Sequence, residues 1–363
     1  MDKKFVMGIA AMAALTLVSC SSDDLDSFSD NSSKNEAISF DGYLGRSAVA
    51  VNGTRGSVLE IADLKASTDG FGVFGYYNST EAKNFGSNLF NNQQVKYSST
   101  EPAKWKYDDV KYWPSQGHID FLAYAPFVQN KQLTNNTTTN TTSCIKFDVA
   151  KEVANQKDLL WANAPGQTKA NNSGANKVKF QFAHALSRLG YTVKLSEKCS
   201  PVATITLKNI TLAGSYPTTG STADPTGAFY TNGTIDLSTG KWISTSNDKQ
   251  YFKWYSAPTS GVQPITFTST SDETYKSTDY LFVIPQNFED GNENELYVIV
   301  EYTISYKDIT EPFTYKVYKR LPYKFLQSKA YMINLTIGLT PIEFDADVTS
   351  WGDDVSEDIN SWN

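Results

Sequence analysis

Apolar and polar residues alternate along most of this chain, and the alternation has a period of two. In LYVIVEYTISY, Leu296, Val298, Val300, Tyr302, Ile304 and Tyr306 alternate with Tyr297, Ile299, Glu301, Thr303 and Ser305. That beat predicts a β-strand with one face buried and the other more exposed. It returns in VKFQFAHAL (Val178, Phe180, Phe182, His184), in ATITLKNITL, in YMINLTIGL (Tyr331, Ile333, Leu335, Ile337, Leu339) and in PIEFDADVT. No stretch of ten or more residues sustains a helical period. Turn clusters such as SYPTTGSTADPTG and FEDGNENE separate the strand-like runs, and TNNTTTNTTS (134–143) reads as a low-complexity polar loop. Many short strands rich in threonine and aromatics predict β-sandwiches. The length suits two domains, and a composition dip at SEKCSP, residues 196–201, marks the expected hinge. The division read from the sequence is 1–19, 20–36, 37–197 and 198–363.

The first two segments are not domains. Lys3 and Lys4 lead an apolar run from Phe5 to Val18, shorter than the about 20 residues a membrane span needs. A charged start with a short apolar core is the layout of a secretory signal. Residues 20–36 are polar, with Leu25 and Phe28 as their only sizeable apolar groups, and are expected to form a disordered tether.

Composition then narrows the function. The chain carries a net charge of −7 and no basic block, which argues against nucleic-acid binding. GFGVFG (70–75) formally matches a dinucleotide fingerprint but continues into YYN inside a strand-like run, where no helix follows to receive a pyrophosphate. His184 stands in line with Phe180 and Phe182, which predicts a core histidine, and His118 follows a Ser-Gln-Gly turn. Neither accompanies a nucleophile motif. Glu289, Asp290, Asn292 and Glu293 have the residue types of a calcium loop without its spacing, so a solvated turn is expected. No metal or cofactor is predicted, and the chain reads as a non-enzyme. Cys144 and Cys199 have no metal spacing and are read as unpaired, with a disulfide as the alternative. The aromatic residues leave a second reading open, a lipid-anchored glycan-binding surface protein.

Two sets of residues carry a resemblance. Leu17-Val18-Ser19-Cys20 resembles the lipobox of bacterial lipoproteins, which implies removal of residues 1–19 and lipidation at Cys20. Asp23, Asp24 and Asp26 behind it resemble an acidic signal for export to the outer face. KYWPSQGHIDFLAYAPF (111–127), KDLLWANA (157–164) with FQFAHALSRLGYTV (180–193), YLFVIPQ (280–286) and AYMINLTIGLTPIEFDADVTSW (330–351) together resemble the fimbrillin family of type V pili. The resemblance implies two tandem transthyretin-like β-sandwiches and a surface-exposed outer-membrane lipoprotein that polymerises with other fimbrial subunits in an adhesive fimbrium. A host or bacterial surface receptor is a further implied partner. It also implies cleavage after an arginine in the loop following the first strand, loss of that strand, and refilling of its groove by a C-terminal strand of the next subunit. The first strand is AISFDGYL, with Ile38 and Phe40 on one face. Arg55, followed by Gly56, is the favoured cleavage site, and Arg46, followed by Ser47, is the alternative. The donor candidate alternates Ile342, Phe344, Ala346 and Val348 with Glu343, Asp345, Asp347 and Thr349; it reads equally well as the last strand of its own domain.

Overall fold

The computed structural model describes residues 37–44, 59–79, 87–172, 177–195, 203–216, 224–268, 274–338 and 343–350, the last with its backbone alone. Within them the chain is nearly all β, as the alternation predicts, and folds as an all-β sandwich. One short α-helix, Ile61–Ala66, and two 3-10 turns, Val153–Asn155 and Ala170–Asn172, interrupt the described strands; the α-helix is held at its start by reciprocal bonds between Glu60 and Asp63. No described helix is long and apolar enough to cross a membrane.

The N-terminal strands form a seven-stranded sheet in the order Phe40–Leu44, Val178–His184, Leu160–Gln167, His118–Ala125, Phe71–Asn78, Ser87–Ser98 and Lys104–Lys106. Its two end strands touch, so the sheet curls back on itself around a core of Ile38, Phe40, Phe71, Phe90, Phe121, Phe180 and Phe182. The same sheet is buried on its other face too. Phe74, Tyr76, Leu122 and Tyr124 belong to a larger core shared with the C-terminal strands. This double burial explains GFGVFG, which apart from Gly70 lies in the strand Phe71–Asn78. A side chain at Gly75 would meet Phe90 and Phe121 at 2.8 and 2.9 Å, so glycine lets the rings close over the backbone.

The larger core lies between two further sheets. One orders Thr274–Lys276, Ser187–Leu195, Lys329–Ile337 and Glu343–Ser350; the other orders Phe252–Ser256, Ala203–Ala213, Tyr297–Tyr306 and Phe313–Arg320. Tyr191 of the first meets Trp254 of the second edge-on, ring centroids 4.8 Å apart. Ser187–Leu195 and Lys329–Ile337 run parallel, pairing strands far apart in sequence. The expected hinge at 196–201 lies outside the described residues.

Two local expectations differ from what forms. TNNTTTNTTS is a hairpin of Thr134–Asn136 and Thr141–Asp148 rather than a loop. Threonine suits strands, and the Asn136 side-chain oxygen Oδ1 accepts the Thr138 and Thr139 amides to build the turn. Asn136 itself is buried, donating 2.8 Å to Asp236. In Tyr297–Tyr306 both faces are partly covered, since Ile299 and Thr303 are buried with the predicted row. That strand is central, flanked by Ala203–Ala213 and Phe313–Arg320, and its neighbours shelter the outward face. The cluster Glu289–Glu293 is an exposed turn in which Asp290 pairs with Arg320. Cys144 is buried and free, its thiol pushed up to about 11 chiefly by burial; Cys199 lies outside the described residues.

Candidate functional site

The first strand, Phe40–Leu44, sits at the end of the seven-stranded sheet and runs parallel to Val178–His184, from Phe40 opposite Val178 to Leu44 opposite Phe182. Its alternation is realised: Ile38 and Phe40 are 1 % exposed, and Asp41 and Tyr43 face out. The Phe40 ring touches Phe90, Phe121, Phe180 and Tyr107 at centroid distances of 5.4 to 5.6 Å. Gly42 completes the inward row, where a Cβ would come within 3.2 Å of the Phe182 ring.

Backbone bonds hold the segment from both sides. The Val178 amide donates to Ser39 at 2.9 Å, and the Ile38 amide donates to Lys111 at 2.8 Å. The Tyr107 hydroxyl adds a bond to the Ile38 carbonyl at 2.7 Å, and burial raises its pKa. The seat is therefore an aromatic groove walled by Val178–Phe182 and by Tyr107–Tyr112. Burying Ile38 and Phe40 there contributes roughly 3–6 kcal/mol. Sequence reasoning found the strand but not Tyr107 or Lys111, because contacts across a barrel-like closure leave no local periodicity.

The chain re-enters at Leu59, whose amide donates 3.2 Å to the buried carboxylate of Asp158. The same oxygen lies 2.7 Å from His184 Nδ1. His184 thus points into the core with a hydrogen-bonding partner, as its place in the alternation predicts. Asp158 lies in the KDLLWANA passage but was not singled out; an isolated acid in a strand-rich run carries no sign of its partner.

Arg46, Ser47, Arg55, Gly56, Cys20 and Ile342 lie outside the described residues. Phe344, Ala346 and Val348 fall on Glu343–Ser350, in register opposite Leu335, Ile333 and Tyr331 of Lys329–Ile337. All three partners are buried. The structure thus places this segment as the end strand of its own sheet, while the first strand closes a different sheet.

His118 opens its strand 3.4 Å from Asp120, which also accepts the Gly166 amide at 2.7 Å and Asn78 Nδ2 at 2.8 Å. These bonds tie strand ends together. Among the described residues no cluster of ligating side chains could hold a metal, and no tryptophan is exposed.

The chain matches the profile of the fimbrillin-like family over residues 54–351 and belongs to that family. It is accordingly a fimbrial-type subunit protein of the cell surface. It is similar to solved cell adhesion proteins from Bacteroides uniformis (15% identity, covering 88% of this chain and 100% of that one, TM-score 0.48) and Bacteroides ovatus (14%, 90% and 100%, 0.48). It is also similar to the tip fimbrial protein Mfa3 from Porphyromonas gingivalis (12%, 77% and 93%, 0.33). The family assignment rests on the profile match. No curated protein matches the sequence.

Proposed function

We propose that this chain is a non-enzymatic structural subunit of an adhesive fimbrium, exported as an outer-membrane lipoprotein through Cys20 and polymerised by donor-strand exchange. Cleavage after Arg55, with Arg46 as the alternative, frees the first strand. The groove that held Ile38 and Phe40 then receives Ile342, Phe344, Ala346 and Val348 of another subunit. The observation that carries this reading is the seat of the first strand: a five-residue end strand, paired along one edge with Val178–His184, plugs an aromatic groove that its loss would open to water. An incoming strand with alternating apolar residues restores the burial, and its backbone ladder fixes the register. Three large side chains and an alanine would contribute roughly 5–9 kcal/mol. The division into sandwiches 37–197 and 198–363 is part of the same proposal.

N-terminal sequencing with intact mass of protein sheared from whole cells tests it. A start at Gly56 or Ser47 without lipid is the expected result. An acylated Cys20 on an uncut, monomeric surface chain would overturn the polymerisation scheme.

A further inference from the structure

Of ten large apolar side chains exposed among the described residues, four lie between Ile309 and Tyr318: Ile309, Phe313, Tyr315 and Tyr318. Three of them stand on Phe313–Arg320, the end strand of its sheet. One side of that strand pairs with Tyr297–Tyr306; among the described residues no strand pairs with the other. Phe313 and Tyr315 share a row with Val317 and lie opposite the buried Ile304 and Tyr302, yet are 46% and 40% exposed. An eight-residue open edge of this kind is a template for another strand.

Charge selects the occupant. Phe313–Arg320 carries Lys316, Lys319 and Arg320 and no acid. Pairing two copies of this edge would bring like charges together, which disfavours a symmetric contact. Other strands at sheet ends are no better matched: Thr274–Lys276, Phe252–Ser256, Lys241–Thr245 and Lys104–Lys106 each carry lysine, Thr134–Asn136 is uncharged, and Phe40–Leu44 has one acid, Asp41, in five residues. Glu343–Ser350 is different. It has eight residues, carries Glu343, Asp345 and Asp347 and no base, and among the described residues pairs only with Lys329–Ile337.

We propose that copies of the uncut chain associate head to tail, the outer edge of Glu343–Ser350 in one copy pairing with the outer edge of Phe313–Arg320 in the next. Acids recur at every second position of one strand, and Thr314, Lys316, Tyr318 and Arg320 form a row of the same period on the other. One antiparallel register therefore sets Asp345 level with Lys316, and sets Phe344, Ala346 and Val348 level with Val317, Tyr315 and Phe313. Arg320 already pairs with Asp290 and Glu295, so exposed Lys316 is the main new partner. The two surfaces differ, so the contact propagates instead of closing into a pair. It leaves the first strand seated and Glu343–Ser350 in its own sheet, so it needs no cleavage. For its purpose it rests on the fimbrial-subunit reading, to which it adds a contact available before maturation.

Sedimentation of the purified uncut full chain over a range of concentrations tests the proposal, with Lys316→Glu, Asp345→Lys and the two combined. Either single charge reversal is expected to weaken association about tenfold or more, and the double variant to restore it. Rising salt should weaken the parent, and a cooperative thermal melt of the Lys316→Glu variant, lowered slightly because Glu301 lies opposite Lys316, serves as the folding control. A parent that stays monomeric, or association indifferent to either reversal, or no rescue in the double variant, overturns the edge contact. The fimbrial reading fails separately: it falls if the surface chain is never cut and never polymerises, whatever the uncut protein does in solution.

Discussion

Phe40–Leu44 and Phe313–Arg320 are both end strands, and both open with a phenylalanine in the row that faces the core side of the sheet. Their fates are opposite. Phe40 is 1% exposed, with four aromatic rings around it, whereas Phe313 is 46% exposed. The difference is not in the strands themselves. The first belongs to a sheet that curls until its ends meet, so its inward row is enclosed; the second ends an open sheet, so part of its inward row meets water. Burial at an edge is a property of what closes over it.

That comparison can be broken by mutation. The largest effect is expected for Phe40→Ala in the uncut chain, a loss of about 3–5 kcal/mol in urea unfolding, because the ring leaves a cavity that four neighbours cannot collapse into. A loss below about 1 kcal/mol would mean that the groove does not depend on its plug.

A smaller effect is expected where burial is polar. Asp236 sits beneath the threonine hairpin, and Asp236→Asn should destabilise by about 1–3 kcal/mol. Burial alone would raise its pKa, but hydrogen bonds from Ser238, Ser143 and Asn136 outweigh burial and hold the carboxyl below its usual value. The folded pKa is thus the lower one. Its contribution is present above the unfolded pKa of about 3.9 and is lost as pH falls through the folded value. Stability measured against pH should lose part of its acid-side decline in Asp236→Asn; an unchanged acid arm would refute this assignment.

The smallest effect belongs to the open edge. Phe313→Ser should change the stability of dilute, monomeric protein by no more than about 0.5 kcal/mol, an order of magnitude less than Phe40→Ala. A loss comparable to that of Phe40→Ala would show that Phe313 is covered in solution by its own chain.

Strand identity was legible because a strand with one buried face must alternate. Val178–His184 and Lys329–Ile337 bury the residues their sequences nominate. Legibility failed where burial departs from that rule. Phe71–Asn78 is covered on both faces and shows almost no alternation, and the threonine hairpin looked like a loop because its inward residue is Asn136, buried through a bond to a distant carboxylate. The candidate site was half legible: Ile38 and Phe40 announce a strand, while Tyr107, Lys111 and the pairing of Asp158 with His184 do not announce that they surround it.

An all-β fold and the inward-facing residues of most strands follow from the chain's own pattern, because periodicity and composition act within a few residues. Tertiary structure alone decided that the first strand is enclosed and Phe313–Arg320 is not. Closure of a sheet depends on contacts between segments such as 37–44 and 107–112, whose meeting is set by the twist and packing of every strand between them.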